Sequence, residues 1–196
     1  MMMGNTLLGT AQEAVRAAVA PRHNRKKPKE SAMDDSRFWM LVDAAKAQAG
    51  ANAQARPPAL RAALADLTTA DIQGFQRVYD RMIARANRWD LWGAACLMNG
   101  GCSGDGFRYF RDWLISEGGA TYEQALADPD SLAECPAREE FELESFGYAA
   151  RDAYAEHTDA ELERDMSHGL AVPEGREWDE DELAGMLPRL AAKYAS

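Results

Sequence analysis

The stretch from Trp89 to Leu114, WDLWGAACLMNGGCSGDGFRYFRDWL, constrains the fold more than any other part of the chain. It holds three of the five tryptophans and two of the three cysteines. Trp89, Trp92, Ala95, Cys96 and Leu97 follow spacings of three and four, as do Phe107, Tyr109, Phe110, Trp113 and Leu114. Such spacing is the apolar stripe of a helix. Between the stripes, the glycines around Cys102 let one helix stop and another start within a few residues. The stretch reads as helix, tight turn, helix. Aromatic side chains bury the largest areas, so the expected fold is all-α, a single compact multi-helix domain built around this Trp-rich hairpin.

A chain of 196 residues accommodates one medium domain, or one domain plus a tail. The charge distribution favours the second arrangement. Residues 1–32 carry six basic and two acidic side chains, a net +4, which leaves −14 on the remainder of a chain whose total is −10. Within them, Pro21 to Glu30, PRHNRKKPKE, has almost nothing to bury and is expected to be disordered. Leu7 to Ala20 is too weakly apolar for a secretory signal. Met33 then opens MDDSRFWMLV, which reads as a natural start. Residues 1–32 are therefore expected to be an extension from an upstream start codon, or a basic arm for an acidic partner, and 33–196 the domain.

The acidic domain lacks the basic face that a phosphate backbone requires, so direct nucleic-acid contact is not expected. Cys96, Cys102 and Cys135 are sparse, odd in number and without C-x-x-C spacing, which suits reduced thiols in a cytoplasm. No run approaches the ~18 apolar residues of a membrane helix, so no membrane partner is expected.

Along the domain, Asp34, Asp35 and Ser36 announce a helix with Phe38, Trp39, Leu41, Val42 and Ala45 on one face, ending near Gly50. Pro57 and Pro58 open a second helix. Thr68 or Thr69 caps a third, which runs to about Asn87. After the hairpin, Gly118-Gly119 suits a left-handed helix end, and Thr121 with Gln124 resembles a capping box. A helix is expected over 138–157, another short one from Thr158 or Asp159 to about Met166, a loop over 167–176, and a terminal helical segment from Trp178 to Tyr194 in which Pro188 makes a kink or a new start.

Chemistry concentrates at the turn from Asn99 to Gly106. Ser103 or Asp105 can cap the second helix. The same geometry at a helix N-terminus can also bind an anion or lower a thiol pKa, with Cys102 as the thiolate beside Arg108 or Arg111. A cysteine nucleophile needs a base, and His157 is the candidate partner. A Mg²⁺ site from Asp105, Asp128 and Asp130 rests on residue type alone. The histidines lack zinc spacing, and the expectation is no metal site. There is no P-loop, G-x-G-x-x-G or G-x-S-x-G.

These residues also carry a resemblance. W-D-L-W-G-A-A, G-G-C-S-x-D-G-F, F-R-x-W-L-I, A-L-x-D-P-D-S-L, the spacing of Glu144, Tyr148 and Ala150, and W-D-E-x-x-L to P-R-L are together similar to the bacterial family of unknown function DUF4240. The likeness extends from Met33 to Tyr194. In the family an acidic pair follows the serine; Gly104 replaces its first member here and leaves Asp105. Some family members carry a WGR-type domain tied to nucleic-acid transactions, and this sequence has none. The resemblance implies a candidate pocket or functional cluster of Asp90, Cys102, Ser103, Asp105, Arg111, Glu144 and Tyr148. It implies no reaction and no cofactor. The expected function is a cytoplasmic, non-catalytic binding or regulatory module for a protein or small ligand. The alternative is a small hydrolase or transferase with its polar site at the Gly-Gly-Cys-Ser-Gly-Asp turn.

Overall fold

The computed structural model describes residues 33–165, 167 and 171–194, and the expectations for residues 1–32 lie outside them. The described residues form nine α-helices: α1 (Asp35–Ala49), α2 (Arg56–Ala65), α3 (Thr69–Arg85), α4 (Trp89–Asn99), α5 (Gly104–Ser116), α6 (Gly119–Ala127), α7 (Ala149–Ala155), α8 (Leu183–Met186) and α9 (Pro188–Tyr194). Short 3₁₀ segments cover Ala53–Ala55, Pro129–Glu134, Glu144–Tyr148 and Glu180–Glu182. None of the described helices is long and apolar enough to cross a membrane.

Local chemistry explains most boundaries. Asp34 caps α1 by accepting the Arg37 N–H at 2.8 Å, and Thr68 caps α3 by accepting that of Asp71 at 3.2 Å. Proline occupies the first turn of α2, where its missing N–H costs nothing. Pro188 starts α9 as a separate helix.

Three expectations are corrected. The N-cap of α6 is Gly118, so Thr121 and Gln124 lie inside the helix and form no capping box at its start. Residues 138–143 are not helical. Phe141 and Leu143 are buried while Glu140 and Glu144 are exposed, a period of two, and the backbone N–H groups of Phe141 and Leu143 bond outward to Asn99 Oδ1 (2.8 Å) and the Tyr109 carbonyl (3.1 Å). Nor do residues 158–165 form a helix; Thr158 instead closes a local turn onto the Ala160 N–H.

The core has two aromatic runs. Phe38 meets Phe75 at 4.7 Å, and Tyr79 joins Phe75 to Phe146. The other run passes from Trp178 through Trp89, Trp92, Phe107, Phe110, Trp113 and Phe141 to Tyr194, with ring centroids 5.0–6.3 Å apart. It begins and ends on the C-terminal segment, which packs onto α4. A buried ionic cluster ties α1 and α2 to the end of α5. Glu117 Oε1 accepts from Arg56 at 2.7 Å and Arg138 at 2.9 Å, while Lys46 lies 3.2 Å from Oε2. Burial alone would raise the Glu117 pKa; the Arg56 hydrogen bond and the charges of Arg56, Arg138 and Lys46 outweigh it and hold the carboxyl below its ordinary value.

Candidate functional site

The turn between α4 and α5 is built from backbone conformation. Gly100 (φ 68°) and Gly101 (φ 128°) both adopt positive φ, and both donate their N–H groups to the Cys96 carbonyl. A Cβ at either position would meet open space, so conformation rather than crowding asks for glycine. The reversal brings the Cys102 carbonyl back over α4, where it accepts from Trp92 Nε1 at 3.2 Å and from the Cys96 thiol at 3.8 Å. Ser103 is the cap of α5: its Oγ accepts the Gly106 N–H at 3.1 Å. Asp105 lies one residue inside the helix, exposed in its first turn, where a negative charge favours the helix dipole.

The C-terminal segment closes over this turn. Trp178 Nε1 donates to the Trp89 carbonyl at 2.6 Å, and Glu174 exchanges backbone bonds with Asn87 and Trp89 beside a parallel bridge to Arg88. Gly93 makes the approach possible. A Cβ there would stand 2.7 Å from Leu183 Cδ2 and 3.2 Å from Trp178 Nε1. A cavity of about 520 Å³ remains between the two parts, lined by Cys96, Leu97, Cys102, Trp178, Leu183 and Tyr194 together with the turn glycines and Glu180. Tyr194 is one of the wall residues, and its hydroxyl, shielded from solvent, has no hydrogen-bond partner among the described residues.

The two thiols at the cavity interact. A hydrogen bond from Cys102 lowers the Cys96 pKa, against burial and the charge of Glu180. The same bond, burial, and the charges of Cys96 and Glu142 raise that of Cys102. Glu142 lies beside the turn: a Cβ on Gly106 would fall 2.8 Å from its Oε1 and 3.4 Å from Cys102 Sγ.

The seven candidate residues occupy different surroundings. Cys102, Ser103 and Asp105 share the turn. Asp90 is held by Arg88 at 2.5 and 3.1 Å and accepts the Leu91 N–H. Arg111 is buried, donating to the Ile83 carbonyl and Asn87 Oδ1 while its guanidinium covers the Phe107 ring at 4.8 Å. Burial lowers its pKa to about 10. Tyr148 donates to Glu144 on the surface, and Arg151 stacks over the Tyr148 ring. Hydrogen bonding to Glu144 raises the Tyr109 pKa, and the charge of Asp105 adds to it. Among the described residues, no hydrogen bond or ion pair joins Asp90, Arg111 and Glu144 to one another. His157 directs Nε2 to the Ala65 carbonyl at 2.8 Å, and Asp128 and Asp130 are engaged by Arg189. No group of three or more His, Cys, Asp or Glu among the described residues is placed to hold a metal.

Two further features went unread in the sequence. Tyr79 donates at 2.5 Å to Asp112, a carboxyl 4% exposed whose pKa burial pushes up to about 7 against that bond and the charges of Arg108, Arg164 and Arg111. A second cavity, of about 690 Å³, is lined by Arg77, Asp80, Arg81, Glu163 and Arg164. Asp80 faces Arg164 across the lining at 3.5 Å, and Arg81 pairs with Asp35 from outside it. Trp178, Leu183 and Tyr194 also escaped sequence reasoning as site residues. Their signal was Gly93, a glycine inside a helix, which marks close approach by another segment.

No curated protein and no solved structure matches the chain. The family model described as a protein of unknown function, DUF4240, matches residues 33–156, which include the turn, Glu142 and the buried pair. Trp178, Leu183 and Tyr194 lie beyond the matched span. With well over half of its length matched, from Phe38-Trp39 through the Gly-Gly-Cys-Ser turn, the chain belongs to the DUF4240 family.

Proposed function

We propose that the chain is a non-catalytic binding module that takes a small ligand in the cavity beside the Gly100-Gly101 turn. The observation that carries this reading is the cavity itself, where Leu97, Trp178 and Leu183 meet Glu180 and the two thiols, and where one wall residue, Tyr194, keeps a buried hydroxyl with no hydrogen-bond partner among the described residues. Leaving such a group unpaired costs ~1–3 kcal/mol, which a ligand acceptor would recover once the Tyr194 side chain turns its hydroxyl into the cavity. The volume suits a small molecule. Trp178, Leu97 and Leu183 favour a flat apolar body with one carbonyl or ether oxygen for Tyr194. The Trp-rich pair α4 and α5 then serves as the hairpin that frames the site. Three free thiols favour a cytoplasmic setting. A hydrolase or transferase at the same turn finds less support, because Cys102 is the more protonated of its thiol pair and Asp105 faces solvent.

Acetophenone provides a flat ring and one acceptor. Titrated against the protein and followed by amide NMR, it is expected to shift Leu97, Gly100, Gly101 and Cys102, with weaker binding to Tyr194→Phe. Shifts confined to other regions, or equal affinity for Tyr194→Phe, would sink the reading.

A further inference from the structure

We propose that Cys96 and Cys102 form a reversible redox site that closes to a disulfide across the Gly100-Gly101 turn by exchange with a small-molecule disulfide. Three observations carry it, independently of what occupies the cavity. The Cys96 thiol reaches across the turn to the Cys102 carbonyl at 3.8 Å, which sets the two residues side by side. Both line the cavity, which gives a small reagent access to them. The segment between them contains two glycines at positive φ with nothing within 4 Å of where a Cβ would stand, so the turn has space to draw the sulfurs together to bonding distance.

The order of attack follows from the difference between the two thiols. The Cys96 pKa is lowered by its interaction with Cys102 while that of Cys102 is raised, which favours the thiolate on Cys96. That thiolate attacks one sulfur of the small disulfide. A new S–S bond forms to Cys96, and the other sulfur leaves as a thiolate. Cys102 then loses its proton to solvent and attacks the Cys96 sulfur. The Cys96–Cys102 bond forms, and the second small thiolate leaves. Two protein thiols are oxidised, and one disulfide is reduced to two thiols. Glu180 faces Cys96 and Glu142 faces Cys102, so a cationic reagent approaches more readily than an anionic one. Cys135 is also half-buried, but burial raises its pKa and no second thiol interacts with it.

The test uses the full chain and cystamine, a cationic disulfide. The expected product is 2 Da lighter, with Cys96 linked to Cys102 in the non-reduced peptide map and Cys135 still free. Cys102→Ser should stop at a stable adduct on Cys96, whereas Cys96→Ser should leave Cys102 largely unmodified. Glutathione disulfide, which is anionic, should react several-fold more slowly, with the gap narrowing as salt rises. A product with adducts on both cysteines and no link between them would overturn the proposal. So would faster modification of Cys135 than of Cys96.

Discussion

The two ends of α5 are built on opposite terms. At its C-terminal end, Glu117 is 5% exposed and carries three cationic partners, Arg56, Arg138 and Lys46. Those cations also suit the negative pole of the helix, where a lone glutamate would be poorly placed. At its N-terminal end, the chain turns through two glycines and leaves a cavity, and one wall residue, Tyr194, keeps a buried hydroxyl unmatched among the described residues. One end converts charge into rigidity; the other keeps room and unpaired chemistry. A protein that binds something needs both, because an open site stays shaped only where the scaffold beside it is over-determined.

The largest expected effect breaks the closed end. Glu117→Ala strands Arg56, 2% exposed, without its carboxylate and should cost ~3–5 kcal/mol. Urea unfolding at neutral pH measures it, and a loss below ~1 kcal/mol would mean that the cluster is not the anchor described here.

Between the two ends, Asp112 sharpens the comparison through pH. Folded Asp112 keeps its proton up to about pH 7, while an unfolded aspartate releases it near pH 4. Folding therefore takes up a proton in that window, so this group's contribution falls as pH rises from about 4 to about 7 and is constant above. Glu117 runs the other way: its lowered pKa gives stability that is present above the ordinary glutamate value and is lost as pH falls through the folded one. Asp112→Asn keeps an acceptor for Tyr79 and should remove the downward slope, raising stability at pH 8 relative to pH 5 by ~1–3 kcal/mol compared with the parent chain. Parallel stability curves for the two proteins from pH 4 to 8 would rule out a protonated Asp112.

The smallest effects lie at the open end. Ser103→Ala should cost about 1 kcal/mol, because it removes the acceptor of the Gly106 N–H. Asp105→Ala should cost no more than about 0.5 kcal/mol, since the exposed carboxylate acts only through the helix dipole. Equal losses in thermal unfolding would return the cap to Asp105.

Periodicity and cap chemistry made α1 to α5 legible, because those signals act within a few residues. Asp34, Thr68 and the glycines at 100 and 101 each do locally what their type suggests. The reading failed at 138–143, where a charge-rich stretch resembled a solvated helix face. The alternation of Phe141 and Leu143 with glutamates was the better guide, but its consequence depended on Asn99 and Tyr109 being there to accept the backbone bonds. Thr121 and Gln124 failed similarly: a short motif names possible partners, and the helix start at Gly118 decided otherwise.

The candidate site divides along the same line. That Cys96 and Cys102 flank a glycine turn is written in the chain itself, because five intervening residues with two glycines leave few ways to reverse direction. Residue order alone also determined the helical class, through the stripes of aromatic side chains, and the acidic character of the domain. Only the tertiary structure decided that Asp90, Arg111 and Glu144 serve separate local partners, and that Trp178, Leu183 and Tyr194 wall a cavity with the turn. The cavity joins residues many tens of positions apart. Their pairing depends on how whole helices pack, through contacts such as Gly93 against Leu183, and not on the residue types at either end.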